Sequence, residues 1–396
     1  MTSHPRGPTR IPTLLFAAAA GMSVANVYYA QPLLDAVARD FAIPEAAIGG
    51  IVTATQLGCG LALLFVVPLG DLLDRRRLML VQALLLAAVL AAMGLVRSAP
   101  LLLAAMLLTG LLGTAMTQGL IAYAAGSAAE RERGRVIGAT QGGVFVGLLL
   151  ARVVAGVIGD VAGWRGVYLC SAGAMLLLAA LLWRRLPLLA PTGVVRMRYP
   201  ALLASMFGLL RRHRTLQVRG VLALLMFAAF NVFWSALVLP LGAAPYGFSH
   251  TAIGAFGLAG AAGALAATGA GRLADRGRER QVTLAALLLL VLAWLPLALL
   301  PVSLWALVIG IVLLDLGGQA IHVANQGMLL RGAGAGDAHG RMVGAYMLFY
   351  AVGSGLGAMA STQAYAHAGW SGVCLLGGGI SLAALLFWAA TSTLPD

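Results

Sequence analysis

Four polar residues interrupt one long apolar stretch of the chain: Asp315, Gln319, His322 and Gln326. At about 100° per residue, their spacing places them on one helix face, within an arc of roughly 60°. An ionised Asp near the middle of a bilayer costs at least about 2.5 to 3.5 kcal/mol, so it must face water, meet a cation or bind a proton. Asp315 is therefore a candidate proton carrier, and so is His322, because an unperturbed His titrates near physiological pH.

Two further charged residues extend this hypothesis. Arg152 is the only Arg that lies away from the ends of a predicted span, and it is the candidate cation partner of Asp315. Asp35, near the end of the first span, is another proton-coupling candidate. The structural alternatives are an interhelical hydrogen bond for Asp315, a packed neutral ring for His322 and a structural pairing for Arg152.

The elements that position these residues must be membrane helices. Of the 396 residues, 61% are hydrophobic and 10% are charged, whereas soluble proteins have about 45–50% apolar and 25% charged residues. Apolar stretches of about 20 residues are long enough to cross a hydrocarbon core of about 30 Å. We predict twelve spans, at residues 12–36, 46–70, 77–97, 100–127, 136–160, 165–186, 217–243, 250–272, 281–300, 302–330, 341–366 and 371–391.

The distribution of Arg predicts the orientation of these spans. All 26 basic residues are Arg, and with both termini in the cytoplasm only Arg39, Arg97 and Arg165 fall on the outer side. This is the bias expected of a multi-pass protein of a bacterial-type cytoplasmic (inner) membrane. The net charge of +13 then reflects topology and contact with anionic lipids in the bilayer, so we expect no nucleic-acid partner.

Several chemistries lack their usual residues. The three Cys have no metal-ligand spacing, and no Ser-His, Cys-His or paired-carboxylate arrangement suggests an enzyme. A chain without Lys has no Walker motif for ATP. We therefore expect no enzymatic activity, no metal and no cofactor.

The two halves of the chain resemble each other. Residues 26–29 (NVYY) match residues 231–234 (NVFW) at an offset of 205, and Gly-Trp at 163–164 matches Gly-Trp at 369–370 at an offset of 206. A parallel duplication of six helices predicts a substrate site between the halves. We expect an N-terminal bundle at 1–186, a cytoplasmic linker at 187–216 and a C-terminal bundle at 217–396. The first span then belongs to the mature fold and is not a leader.

Residues 271–278 (GRLADRGR) resemble the cytoplasmic loop signature of the major facilitator superfamily, with a degenerate second copy around Asp71. The small residues of the fifth span, from Gly138 to Gly156, resemble the signature of the twelve-helix drug:proton antiporter branch. This sequence departs from the family in two places: Arg152 replaces a Pro of that signature, and Ala115 replaces an Arg of the fourth span. The resemblance implies an all-α integral membrane protein whose twelve transmembrane helices form two pseudo-symmetric six-helix bundles.

The resemblance also implies a gate and a cavity. Carboxylates at tight cytoplasmic turns are expected to pair with Arg and clamp that side shut. The gate candidates are Asp71, Arg75, Arg76, Arg135, Gly271, Asp275, Arg276 and Arg341. The cavity candidates lie on spans one, four, seven and ten: Asn26, Tyr29, Gln31, Thr114, Gln118, Asn231, Trp234, Ser235, Gln319, Asn325 and Gln326.

These observations predict a secondary active transporter that exports small organic molecules by proton-coupled alternating access. The alternative is a proton symporter or facilitator that imports a small metabolite. A sensor on the same scaffold is a third class. We expect the partners to be a small-molecule substrate and protons, and we expect a monomer.

Overall fold

The computed structural model describes residues 13–128, 132–186, 198–332 and 337–392. Side chains at 71, 264–268, 274–275, 330–332 and 337–340 lie outside this description. Every regular element in the described ranges is helical. We label them α1 (Thr13–Asp40), α2 (Glu45–Gly70), α3 (Arg75–Met93), α4 (Ala99–Ser127), α5 (Arg133–Arg185), α6 (Tyr199–Arg212), α7 (Arg214–Gly242), α8 (His250–Ala255, Phe256–Gly260 and Ala261–Asp275 in succession), α9 (Glu279–Ala298), α10 (Leu304–Gly332) and α11 (Asp337–Thr391).

Two of these helices, α5 and α11, are too long for one crossing. They contain 53 and 55 residues, which at about 1.5 Å per residue is roughly 80 Å of helix. Each breaks at a glycine with positive φ, Gly163 (φ 70°) and Gly369 (φ 58°), a conformation that side-chain-bearing residues rarely adopt. Each helix is therefore two membrane spans joined by a tight turn.

The predicted number of spans is confirmed. Nine helices of the described ranges are long and apolar enough to cross a membrane. Two of them, α5 and α11, contain two spans each, and α8 is the remaining span. The predicted glycine-tryptophan pairs mark both turns, since Gly163 precedes Trp164 and Gly369 precedes Trp370. The twelve spans form the two six-helix bundles that the duplication predicts.

The spans begin and end where the local sequence requires. Asp74 caps α3, because its side chain accepts a hydrogen bond from the backbone N–H of Arg77 at 2.9 Å. The last turns of α2 change to π and then 3-10 geometry around Pro68, which has no N–H for a helical bond. We call the end where α3, α5 and α11 start the arginine-rich end, and the opposite one the arginine-poor end.

The two halves meet along two pairs of helices. In the first pair, α2 lies against α11: the N–H of Gly49 donates to Thr362 Oγ1 at 3.0 Å, and Thr53 Oγ1 donates to the carbonyl of Gly355 at 2.8 Å. In the second pair, the first half of α5 lies against α8. These contacts hold the halves together toward the arginine-poor end.

Helix α6 belongs to the connection between the halves. It is amphipathic, with Leu202 and Met206 buried and its basic residues exposed. The hydroxyl of Tyr199 donates to the carbonyl of Phe65 in α2 at 2.8 Å. The predicted linker at 187–216 includes this helix, while residues 187–197 lie outside the described ranges.

Candidate functional site

Arg152 lies at the centre of the molecule, on α5, with 3% of its surface exposed. Its Nε donates to Gln31 Oε1 of α1 at 2.9 Å. Its guanidinium carbon lies 4.0 Å from the ring centroid of Trp234 on α7 and 5.6 Å from that of Tyr28. Arg152 is therefore held by one hydrogen bond and by the faces of aromatic rings, which attract a cation.

The glycine-rich middle of α8 brings Asp315 close to Arg152. A Cβ on Gly257 would lie 3.2 Å from Arg152 Cδ, and a Cβ on Gly260 would lie 3.1 Å from Asp315 Oδ2. Since residues three apart share a helix face, Arg152 of α5 and Asp315 of α10 approach the same side of α8. The two charges are near enough to interact electrostatically. We call Arg152 and Asp315 the central pair.

Each member of the central pair keeps one polar atom without a hydrogen-bond partner. Among the residues that the structure describes, Arg152 Nη2 and Asp315 Oδ2 are buried and make no hydrogen bond. Asp315 has 4% of its surface exposed. Buried polar atoms in proteins are nearly always paired, so two free atoms at one site are typical of a place where a ligand or a proton binds.

Aromatic side chains separate the central pair from the arginine-rich end. The hydroxyls of Tyr28 and Tyr350 are hydrogen-bonded to each other, joining α1 to α11 across the two halves. The ring of Phe227 packs edge-on against Tyr350, with centroids 4.3 Å apart. The direct contact of Tyr28 with Tyr350 does not follow from any spacing in the sequence.

The predicted polar face of α10 meets two different neighbours. Asp315 and Gln319 pack against the glycines of α8, where a Cβ on Gly263 would lie 2.8 Å from Gln319 Cγ. His322 instead faces α11: its Nδ1 lies 3.1 Å from the hydroxyl of Tyr346, and its Nε2 lies 3.3 Å from Gln326 Nε2. Both ring nitrogens of His322 are thus already engaged with protein groups.

The other predicted cavity residues on α1 and α7 divide between the centre and helix packing. Asn231 Oδ1 accepts from Gln31 Nε2 at 3.4 Å, across the two halves. Asn26 Oδ1 accepts from Ser171 of the same half at 2.7 Å. In the described part of the chain, Trp234 Nε1 and Ser235 Oγ are buried without a hydrogen-bond partner. Tyr29, which the repeat pairs with Trp234, is buried in the core.

The remaining predicted cavity residues lie further from the central pair. Asn325 is fully buried against α7, where its Oδ1 lies 3.5 Å from Arg219 Nη1 and its Nδ2 lies 3.4 Å from the carbonyl of Arg219. Thr114 is partly exposed on α4. Gln118, one turn further along α4, lines a large cavity.

This cavity has a volume of about 630 Å³ and lies toward the arginine-rich end. Its walls come from α2, α3, α4, α5, α6 and α11, including Arg75, Arg133 and Arg341. Two glutamines that sequence reasoning missed, Gln82 and Gln141, also line it. No pattern in the sequence marks them, because each is a single polar residue in an apolar helix.

The arginine-poor end is closed by a cluster of two acids and a histidine. His250 Nε2 lies 3.0 Å from Asp35 Oδ1, and His250 Nδ1 lies 3.1 Å from Asp160 Oδ1. Asp160 also accepts from the backbone N–H groups of His250 and Thr251 at 3.0 and 2.9 Å, and from Thr251 Oγ1 at 2.6 Å. We call Asp35, Asp160, His250 and Thr251 the acid–histidine cluster. Asp35, a predicted proton carrier, is thus paired with His250 and, at 2.8 Å, with Arg39.

Close backbone packing accompanies this cluster. A Cβ on Gly254 would lie 2.3 Å from the carbonyl oxygen of Arg152, and a Cβ on Gly156 would lie 2.3 Å from that of His250. Such distances are shorter than carbon and oxygen tolerate, so α5 and α8 can touch only because both positions are glycine. Sequence reasoning identified Gly156 but not Asp160, His250 or Gly254. The one signal for the cluster in the sequence is that Asp160 lies at the end of one predicted span and His250 at the start of another.

The predicted gate residues lie at the arginine-rich end. Arg75 Nε donates to the carbonyl of Gly70 at 2.9 Å, Arg76 Nη2 donates to that of Trp183 at 2.6 Å, and Arg341 Nη1 donates to Ser205 Oγ at 3.2 Å. Arg135 pairs with Glu132 at 3.4 Å, both exposed.

Two further gate candidates, Gly271 and Arg276, belong to the C-terminal half. Arg276 is exposed and Gly271 faces Val323 of α10. The side chains of Asp71 and Asp275 lie outside the described residues. The pairing of these two carboxylates with Arg therefore stays a prediction.

Twelve membrane spans in two similar bundles, closed against each other at one end and enclosing a cavity at the other, define a multi-pass membrane transporter. The family model of the Major Facilitator Superfamily matches residues 14–239 and 219–396, so the chain belongs to that superfamily.

Three similar proteins illustrate this relationship. The chain is 41% identical over 386 residues to "Uncharacterized transporter YgaY" of Escherichia coli O157:H7, covering 98% of this chain and 96% of the relative. Its fold is similar to that of a bacterial homologue of the human lysosomal transporter Spinster, in an inward-facing and occupied conformation, with a TM-score of 0.78, 14% identity and 98% of each chain covered. A D-xylose-proton symporter matches with a TM-score of 0.71 and 16% identity, over 96% of this chain and 98% of that one.

Proposed function

We propose that the protein is a proton-coupled secondary transporter of small organic molecules, and that its first candidate activity is export in exchange for protons. The observation that carries this proposal is the central pair. Asp315 is a buried carboxyl group with a free oxygen beside a buried cation. Desolvation favours the neutral form of a carboxyl group and a cation favours the charged form, so a small rearrangement is enough to move a proton on or off.

Alternating access requires that one end of the molecule is closed while the other is open. The acid–histidine cluster and the contact of α5 with α8 close the arginine-poor end, while the cavity lies at the arginine-rich end. We assign the arginine-rich end to the cytoplasm of a bacterial cell, because positive residues are retained on that side of the inner membrane. Both termini are then cytoplasmic, and the structure corresponds to an inward-facing state. Rocking of bundle 1–186 against bundle 217–396 would exchange the open end.

Each group keeps a separate role in this proposal. Asp315 exchanges the proton, and Arg152 sets its charge. Gln31 and Trp234, which contact Arg152, and Asn231, which bonds to Gln31, are the residues that would face the substrate. The arginines near Asp71 and Asp275 close the cytoplasmic end. His322 and Asp35 are secondary proton candidates, because both already bond to neighbouring side chains. The transporting unit is a monomer.

A second candidate is uptake by proton symport. It is favoured by Arg152, which stands where the antiporter signature has a Pro. A buried cation at the centre repels the cationic cargo of many exporters and attracts anions. The direction of the proton flux separates the two candidates.

The test is proton flux through purified protein in proteoliposomes, followed with a pH-sensitive dye while cations, sugars and carboxylates are added one at a time. We expect a compound-dependent proton flux in the wild type that is abolished by Asp315→Asn, because an amide carries no titratable proton. Glu45→Gln makes the same carboxylate-to-amide change at an exposed position and is expected to keep the flux. The sign of the flux gives export or uptake. Normal flux in Asp315→Asn would disprove the role of Asp315.

A further inference from the structure

We propose that the centre of the molecule binds a small organic monocarboxylate, whose carboxylate pairs with the Arg152 guanidinium group while Asp315 holds a proton. This inference rests on the proposed function and names its substrate class. It follows from the orientation of Arg152, the charge of its surroundings and the aromatic surface beside it.

Within the ranges that the structure describes, the orientation of Arg152 leaves one guanidinium nitrogen, Nη2, without a hydrogen-bond partner. Gln31 binds Nε, and the ring of Trp234 lies 4.0 Å from the guanidinium carbon, which fixes the plane of the group. Nη2 is buried and, in the described part of the chain, has no hydrogen-bond partner. A guanidinium N–H that is fixed in place without an acceptor suits a carboxylate oxygen.

The charge of the centre fits one negative charge on the ligand. Among the described residues, Arg152 and Asp315 are the only charged side chains that are fully buried. When Asp315 is ionised, the two charges balance. When Asp315 is protonated, one positive charge remains without compensation, which is costly in a buried place. A monocarboxylate would supply the missing charge, whereas an amine would add a second positive one.

Apolar surface for the rest of the ligand lies next to Arg152. The face of α8 at Gly257 and Gly260 is occupied by the side chains of Arg152 and Asp315 themselves. Trp234, Tyr28 and Tyr350 offer ring surfaces that suit a flat apolar body. Met347 lines the cavity, and Tyr350 lies one turn further along α11, so the bonded pair of Tyr28 and Tyr350 stands between the cavity and Arg152.

Binding of the carboxylate and of the proton should then reinforce each other. The ligand competes with the ionised Asp315 for Arg152, so each bound ligand brings one proton with it. A proton and a carboxylate that are bound together cross the membrane in the same direction. This site therefore favours the second candidate of the proposed function, proton symport, over export in exchange for protons.

The test measures binding of benzoate, benzamide and benzylamine to the purified full-length protein by titration calorimetry between pH 5.5 and 8. We expect benzoate alone to bind, with an affinity that falls as pH rises through the ionisation of Asp315, by up to about tenfold per pH unit for one linked proton. Arg152→Gln should weaken benzoate binding by at least about tenfold, and Arg152→Lys should recover part of it. Asp315→Asn should bind benzoate at every pH.

Arg97→Gln, the same change at an exposed Arg, is the matched control and should bind like the wild type. Thermal unfolding of each variant separates lost binding from lost folding. Unchanged benzoate binding in folded Arg152→Gln, equal binding of benzylamine, or no benzoate binding by the wild type at any pH would each overturn the inference.

The proposed function can fail independently of this inference. Benzoate binding with the expected pH dependence but without any proton flux would support the site and refute proton-coupled transport. Proton flux that depends on Asp315 with another compound, but without benzoate binding, would refute the carboxylate site and leave the transport proposal standing.

Discussion

At the level of single residues, Gln31 connects the two halves at their centre. It accepts a hydrogen bond from Arg152 of its own half and donates one to Asn231 of the other. The repeat pairs Asn26 with Asn231, yet only Asn231 reaches across, since Asn26 bonds to Ser171. Equivalent positions thus have different roles, because the neighbours of each helix are not duplicated exactly in sequence.

This position gives a prediction for Gln31→Glu. The new carboxylate would lie about as close to Arg152 as Gln31 Oε1 does now, at 2.9 Å, and would neutralise it permanently. We expect substrate-dependent proton flux to fall at least about tenfold, because charged hydrogen bonds of this kind contribute about 1.5–3 kcal/mol, while thermal stability stays the same or rises. Proteoliposome flux and thermal unfolding measure the two effects. Gln363→Glu, at an exposed site of α11, should change neither, and wild-type flux in Gln31→Glu would contradict the role of Arg152.

At the level of helices, the crossing of α5 and α8 determines both the closed end and the central pair. Gly156 and Gly254 let the two backbones touch near the acid–histidine cluster. One and two turns further along α8, Gly257 and Gly260 contact the side chains of Arg152 and Asp315. The start of α8 therefore takes part in closing the arginine-poor end. Its glycine-rich middle contacts the two charged side chains. A change in this crossing would alter both together.

Gly254→Ala tests this crossing. Its methyl group would collide with the carbonyl of Arg152, which forces the helices apart and costs about 1–3 kcal/mol of overpacking in the closed arrangement. We expect spectroscopic distances between spin labels at positions 97 and 363, in a variant without the native cysteines, to shift toward longer values. Gly138→Ala adds the same methyl group on α5 where no atom lies within 4 Å, and should leave the distances unchanged. Identical distance distributions in both variants would show that the close contact does not control closure.

At the level of the whole molecule, the structure is asymmetric from end to end. Contacts between α2 and α11 and between α5 and α8 close the arginine-poor end, while Arg75 and Arg341, from different halves, line the cavity at the other. Closing the arginine-rich end requires these positive groups to approach each other. The carboxylates predicted at Asp71 and Asp275 would offset that repulsion.

Asp71→Asn should therefore disfavour closure of the arginine-rich end. We expect crosslinking between cysteines introduced at positions 126 and 343 to become slower than in the parent protein. Asp74→Asn removes a neighbouring charge, but Asn also caps a helix well, so this control should keep the parent rate. Equal crosslinking rates in the two variants would argue against Asp71 as part of the gate.

The sequence by itself determined the twelve spans, their duplication, the turns at Gly163 and Gly369, and the presence of an acid inside α10. These features are local, because span length and the positive φ of a glycine depend on neighbouring residues only. Tertiary structure alone decided that Arg152 and Asp315 approach the same side of α8, that Gln31 reaches Asn231 and that His250 bonds to two acids. Those contacts depend on the rotation and crossing of helices, which are set by packing against partners that are distant in the chain.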